Sequence, residues 1–378
     1  AFKMNRFPEE LRRKINQRKE DSSFRNLSTM PSGVDFVSND YLGFSKKVSI
    51  CNTANEILAQ NAFRNGSTGA RLLSGNHPLH ECVENQLAKY HQAEAALLFN
   101  SGYDANIGLF SAILQKGATI LYDELIHASI RDGIRLSNAK AFKFKHNCLE
   151  DLYKKRNKVS GPVYIAVESV YSMDGDSAPL KELVDFSLEN NGFLIVDEAH
   201  SNGVFGQNGS GMLQDLHLEQ KVFARVHTFG KALGCHGAAV FGSKELKEYL
   251  VNFSRSFIYT TAASLHSVAI ISAAYQELPT SKEREALEQN IHFFKEEILR
   301  NKLQHLFVES ESAIQCCLIS GNQKVKSIAL ALQKKGYQLK PILSPTVPKG
   351  KERLRFCLHS YNIKEEIAEV LGLLATFV

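Results

Sequence analysis

Three residues able to do chemistry together stand at the ends of two apolar runs. The run Gly192-Phe193-Leu194-Ile195-Val196 leads into Asp197-Glu198-Ala199-His200, and Val222-Phe223-Ala224-Arg225-Val226-His227 leads into Thr228-Phe229-Gly230-Lys231. Runs of branched and aromatic residues read as buried strands, and in open α/β sheets ligands sit beyond the carboxyl ends of the strands. A lone lysine is ordinarily a solvated one. Lys231 differs because Gly230 and Gly234 bracket it and a carboxylate and an imidazole share its setting. Such a trio can hold a pyridine aldehyde: Lys231 forms the Schiff base, Asp197 keeps the ring nitrogen protonated, and His200 touches the phenolic oxygen. The cofactor this implies is pyridoxal 5'-phosphate (PLP).

Other segments offer contacts of the same kind. Asn100-Ser101-Gly102-Tyr103 falls between a predicted strand and a predicted helix. Free amides and the helix dipole there make an anion site suited to a phosphate, although an ordinary strand-to-helix turn would look the same. His127 follows a strand at a helix start, where it either caps the helix or lies on the pyridine ring. Ser172, in Val170-Tyr171-Ser172-Met173-Asp174-Gly175-Asp176, is a turn serine or a cofactor contact. Asn65 to Gly75 is a glycine-rich loop that either turns or approaches a ligand. Arg353 and Arg355 share one face of a strand, and a guanidinium suits a bidentate carboxylate contact. The alternative is two surface arginines on an edge strand.

Repeated strand–helix units must position these groups. Strands are expected at 95–99, 118–122, 141–144, 163–167, 193–196, 222–227 and 238–241. Helices fill 102–115, 127–137, 149–156 and 180–190. That alternation predicts an α/β fold, a mostly parallel sheet with helices on both faces. Beyond Thr261 the pattern changes: helices at 263–278, 282–301, 324–335 and 363–374 with strands at 313–318 and 354–358 predict a smaller α+β domain. The charged segment Pro8 to Asp21 carries Leu11 and Ile15 at helical spacing and is expected to form an arm lying on the body, with Arg25 just beyond it able to reach an anion. The divisions expected are 1–45, 46–278 and 279–378.

Composition sets the outer bounds. The chain has 378 residues, 44% hydrophobic and 22% charged, which is ordinary for a soluble globular protein. A net charge of +5 gives no argument for nucleic acid. Seven scattered cysteines without a CxxC pair suggest neither a metal site nor disulfides, and fit a reducing cytoplasm. The charged amino terminus and the lack of any stretch of about 18 apolar residues argue against secretion and membrane spanning. Two look-alikes fail. Asp197-Glu198-Ala199-His200 spells an ATPase signature, but no phosphate loop precedes it. Gly203, Gly206, Gly209 and Gly211 miss the spacing of dinucleotide folds.

Taken together, the motifs resemble the α-oxoamine synthases, fold-type I (aspartate-aminotransferase-like) PLP-dependent transferases. The resemblance runs from Asn39-Asp40-Tyr41-Leu42-Gly43 to Arg353-Leu354-Arg355. It implies decarboxylative condensation of an amino acid with an acyl thioester, in a homodimer with shared active sites. Ser172 to Leu180, Ser312 to Gln315 and Pro345 to Arg355 are most similar to the biotin-pathway member, which joins L-alanine to a pimeloyl group on coenzyme A or a carrier protein. Asp132-Gly133-Ile134-Arg135-Leu136 reads more like a glycine acetyltransferase, and Leu343 stands where an arginine is common. By resemblance, Lys231 is also base and acid at the α-carbon, His127 stacks on the ring, and His200 and Ser172 contact its oxygen side. Thr228 binds phosphate with the amides of Gly102 and Tyr103, joined by Thr260 or Thr261 from the other subunit. Arg355 holds the amino-acid carboxylate; Arg25 and Thr346 line the entrance. An inactive relative serving as a structural partner would have no use for Lys231, Asp197, His127 and His200 together.

Overall fold

Apolar runs buried on both faces build the centre of the molecule. The computed structural model describes residues 7–27, 29, 32–61 and 64–378. Its strands are β1 (Val34–Asp35), β2 (Ala95–Phe99), β3 (Thr119–Asp123), β4 (Lys140–Phe144), β5 (Val163–Glu168), β6 (Gly192–Asp197), β7 (Ala224–Thr228) and β8 (Ala238–Gly242), then β9 (Ile314–Leu318), β10 (Tyr337–Gln338), β11 (Lys340–Ile342) and β12 (Arg353–Cys357). Seven of them form one sheet in the order β2-β8-β7-β6-β5-β3-β4. The run from β7 to β4 is parallel, and β8 is antiparallel to both neighbours.

Alternation sorts the side chains of this sheet. Ile165 and Val167 of β5 join Leu194 and Val196 of β6 in one core, against helix Leu180–Glu189. Ala166 and Ile195 point the other way and pack with Leu109 and Ile113 of helix Gly102–Ile113. Parallel strands bring their carboxyl ends to the same end of the sheet. Glu168, Asp197 and Thr228 therefore end three adjacent strands at one edge of the sheet.

A second, antiparallel sheet has the order β11-β12-β9 and packs with helices Glu283–Arg300, Asn322–Lys334 and Lys364–Phe377. β1 pairs in parallel with β10, bringing the start of the chain to this smaller unit. Because β12 is the middle strand, its arginines are not surface residues of an edge strand. Arg353 is buried, ion-paired with Asp174, and donates from Nη1 to the Met173 carbonyl at 2.8 Å. The turn that carries Asp174 is pinned at other points as well. Ser310 and Ser312 hydroxyls donate to the Gly175 carbonyl at 2.7 and 2.8 Å. His146 sits between Asp123 (2.9 Å) and Asp176 (2.7 Å). Burial works against its charge, yet the two carboxylates raise its pKa to about 10.

Some expectations change. Helix Glu9–Glu20 forms, but it does not lie on the body with a buried face: no residue of it is buried, and Leu11 and Ile15 remain 43% and 38% exposed. Two apolar residues in a highly charged helix bury too little surface to hold it down within one chain. Helices Val48–Gln60 and Lys244–Phe253 were not expected, although Ile50, Ala54 and Leu58, and Leu246 and Leu250, bury at a spacing of four. Among the described residues no helix is long and apolar enough to cross a membrane.

The Arg353–Asp174 pair yields a stability prediction. Arg353→Ala strands a shielded carboxylate and should cost about 3–5 kcal/mol of unfolding free energy, measured by chemical denaturation. A loss no larger than that of an exposed pair would show that the turn is held elsewhere.

Candidate active site

The strand-end edge opens on a cavity of about 290 Å³, and most of the residues singled out in the sequence stand in its wall. Lining it are Ser101, Gly102, Tyr103, His127, Asp197, His200, Thr228 and Lys231, together with Asn39, Asn106, Ser129 and Glu168. Lys231 is presented by the tight turn after β7, in which Gly234 N–H donates to the Lys231 carbonyl at 2.9 Å and Cys235 N–H to the Phe229 carbonyl at 2.7 Å. Gly234 has φ +60°, and a Cβ there would collide with the Ser45 backbone, so the second bracketing glycine is required. Desolvation pulls the Lys231 ammonium down to about 8, against the opposing attraction of Asp197 and Glu168.

Asp197 is oriented by two donors. Asn106 Nδ2 donates to its Oδ2 at 2.8 Å and the Ala199 amide to its Oδ1 at 2.9 Å. Asn106 also donates to Ser129 Oγ at 3.0 Å, and that hydroxyl lies 2.7 Å from His127 Nδ1. His127 Nδ1 accepts from the Ser129 amide at 3.2 Å, capping helix Ala128–Arg135. His127 thus caps the helix and also stands in the cavity wall. Burial lowers the pKa of His127, and that of His200 well below its ordinary value, so both imidazoles are neutral. His200 Nδ1 lies 2.7 Å from the Tyr41 hydroxyl, which is 3.1 Å from Asn39 Oδ1. Arg355 Nη2 donates to the same Asn39 oxygen at 2.8 Å, and its buried Nε has no partner.

The phosphate end shows the fit most clearly. Ser101 caps helix Gly102–Ile113, its Oγ accepting from the Asp104 amide at 3.1 Å. Ala105 N–H donates to the Ser101 carbonyl. The amides of Gly102 and Tyr103 are left without acceptors among the described residues, at the positive end of the helix. Thr228 Oγ1 is buried with no partner. A Cβ on Gly102 would strike Thr228 Cγ2, so glycine permits the close approach of helix and strand. Two free amides and an orphaned hydroxyl fit a phosphate, and a desolvated lysine with an oriented carboxylate fits a pyridine aldehyde. The residues present suit PLP.

Six expected residues are not brought into the cavity wall of this chain. Ser172 stays in the turn 171–175. Arg25 and Thr346 are exposed. Thr260 and Thr261 meet Asn100, whose Nδ2 donates to Thr260 Oγ1 at 3.3 Å and to the Thr261 carbonyl at 2.8 Å, in a separate small crevice beside Arg71. Arg355 stands one layer back, behind Asn39. Conversely, Glu168, Asn106, Asn39 and Tyr41 were missed as site residues. Signals for two of them existed: Glu168 ends its strand as Asp197 does, and Asn106 lies one turn from Gly102 on the same helix face.

The Lys231 setting predicts a pH dependence. A neutral amine is the nucleophile, so in the apo-protein Lys231 should react with a reductive-alkylation reagent with a midpoint near the value of about 8. Asp197→Asn removes a stabilising charge and should move that midpoint lower. Competitive labelling read by mass spectrometry checks both, and a midpoint near that of the surface lysines would contradict the desolvated site.

Comparison with known proteins gives the same picture. The family model "Aminotransferase class I and II" matches residues 31–372. The chain is 42% identical to 8-amino-7-oxononanoate synthase of Emericella nidulans, covering 97% of this chain and 95% of that protein. Among solved structures it is similar to 8-amino-7-oxononanoate synthase from Francisella tularensis, with a TM-score of 0.78, 29% identity, and coverage of 91% of this chain and 97% of that one. It is also similar to a serine palmitoyltransferase from S. paucimobilis solved with a PLP–myriocin adduct, with a TM-score of 0.88, 27% identity, and coverage of 97% and 96%. The chain therefore belongs to the aminotransferase class I and II family, as a PLP-dependent α-oxoamine synthase of fold-type I.

Proposed function

We propose that this enzyme condenses L-alanine with a pimeloyl thioester, releasing carbon dioxide, to give 8-amino-7-oxononanoate, the product that its relatives' name gives. The observation that carries the reading is the 42% identity with the Emericella nidulans synthase over nearly the whole of both chains. Residues 1–45 act as an arm and small-domain segment, 46–278 as the cofactor domain and 279–378 as the C-terminal domain of a cytoplasmic homodimer. In that dimer the hydroxyl of Thr260 or Thr261 reaches the partner's phosphate site.

PLP, when bound, supplies an electron sink for the bonds broken at the α-carbon. The chain's own residues do the rest. The Gly102 and Tyr103 amides and Thr228 Oγ1 bind the phosphate. Asp197, fixed by Asn106, holds a proton at the ring nitrogen by charge attraction. His127, kept neutral, covers the ring face; His200 stands at its oxygen side. Lys231, whose pKa of about 8 lies near neutrality, anchors the cofactor and then takes and returns the α-carbon proton, the match of pKa to pH that proton transfer favours. Arg355 and Asn39 receive the amino-acid carboxylate, and Arg25 and Thr346 border the entrance.

A second reading, glycine with acetyl-CoA, is favoured by Asp132-Gly133-Ile134-Arg135-Leu136, a segment that bears on the site because the Tyr103 hydroxyl donates to Asp132 at 2.7 Å. Turnover of L-alanine with pimeloyl-CoA or the pimeloyl carrier protein should exceed that of glycine with acetyl-CoA; the reverse order would overturn the first reading. Arg355→Ala should weaken amino-acid binding by about 2–5 kcal/mol, the cost of leaving a shielded carboxylate unpaired, seen as a raised KM for the amino acid. An unchanged KM would remove Arg355 from that role.

A further inference from the structure

Glu168 ends β5 as Asp197 ends β6, and the two are register partners. Its side chain lines the cavity, the residue is only 3% exposed, and Oε1 is sealed from solvent without a hydrogen-bond partner. Neighbouring groups of the wall are already engaged: Asp197 by Asn106 and Ala199, His127 by Ser129, His200 by Tyr41. A buried carboxyl left unmatched is costly unless a ligand completes it.

Strand order says which part of the ligand that is. Glu168 and Asp197 are register partners on β5 and β6, and Thr228 lies on β7 two residues beyond Val226, the partner of Asp197. A pyridine with its phosphate arm at Gly102 and Thr228, and its nitrogen at Asp197, turns its opposite edge toward β5. In PLP that edge carries the phenolic oxygen, an anion in need of donors. Ser172, expected on that side, is not in the cavity wall. Resting on the assignment of Gly102, Thr228 and Asp197 as cofactor contacts, we propose that Glu168 is a cofactor-binding residue whose carboxyl is held neutral and donates its O–H to the phenolic oxygen.

The surrounding charges agree. Facing Glu168 are Asp197 from β6, Asp123 from β3, Lys231 from the turn after β7, Tyr171, and the amide of His127. Burial raises its pKa to about 8, Asp197 adding to the effect and Lys231 opposing it. An ionised Glu168 would set a second carboxylate beside Asp197 and against the anionic oxygen.

Two variants test this. Glu168→Gln keeps a neutral donor of the same shape; Glu168→Leu keeps the bulk and removes the donor. The readouts are the pH midpoint of the bound cofactor's visible absorption and the PLP dissociation constant. Glu168→Gln should hold the midpoint within about 0.3 unit. Glu168→Leu should weaken PLP binding by about tenfold or more and move the midpoint upward, because an oxygen that loses a donor holds a neighbouring proton more firmly. A downward shift of about one unit or more in Glu168→Gln would mean that the native residue is ionised. Unchanged values in Glu168→Leu would mean no contact. Either result overturns the proposal alone, whereas a wild-type protein that takes up no PLP overturns the cofactor reading and the proposal with it.

The apo-protein supplies a reading that needs no cofactor. With a folded pKa of about 8 against an ordinary 4.5, the folded chain keeps a proton that the unfolded chain has released. Wild-type stability should therefore fall relative to Glu168→Gln as pH rises between those values. A Tm difference constant across that window would overturn the neutral carboxyl.

Discussion

The desolvation of Lys231 among carboxylates is the constraint on which the site depends. An ammonium taken out of water loses hydration that a single carboxylate only partly returns, and the Lys231 pKa is pulled down to about 8 because burial outweighs the opposing attraction of Asp197 and Glu168. That balance needs Asp197 at a fixed place. Asn106, reaching from helix Gly102–Ile113, and the Ala199 amide hold it there. The same helix presents the free amides at its first turn, so one element orients the carboxylate and provides the anion site. Sheet order then sets the lateral sequence of Thr228, Asp197 and Glu168 without any loop having to find it.

The smaller sheet is coupled to this site by polar contacts rather than by a shared apolar seam alone. Arg355, Asn39, Tyr41 and His200 form a continuous hydrogen-bonded chain from β12 to the cavity wall. Beside it, the turn 171–177 is tied to β12 through Arg353 and Asp174, to Ser310 and Ser312 through the Gly175 carbonyl, and to the large sheet through His146. Buried polar contacts of this kind are costly when broken and leave few alternative packings. The Arg355 guanidinium is therefore placed relative to the cofactor site by two independent tethers.

Much of this is legible in the amino-acid sequence. Buried strands are short, apolar and bounded by turn residues, so those from Ala95 to Gly242 fell within a residue or two of expectation, and ligands gather where such strands end. Lys231, Asp197, His127 and His200 could be picked out on that ground. What escaped was set by direction rather than by residue type. Nothing in the run Val170 to Asp176 says that Ser172 does not line the cavity while Asp174 pairs with Arg353. Asn106 and Tyr41 matter through partners far along the chain, which spacing does not reveal. Glu168 obeyed the rule that flagged Asp197, yet Ser169 and Val170 after it lack the imidazole that drew attention to the other strand end. The helix Glu9–Glu20 is legible as a helix but not in its packing, since among the described residues nothing buries Leu11 or Ile15.

The most direct test concerns Lys231 as the proposed covalent anchor of PLP. Reduction of the holoenzyme with borohydride, followed by proteolysis and mass spectrometry, reads that directly. A pyridoxyl group on the peptide containing Lys231, and its disappearance in Lys231→Ala, is the result predicted. The label on another lysine, or none on a protein that binds the cofactor, would contradict it.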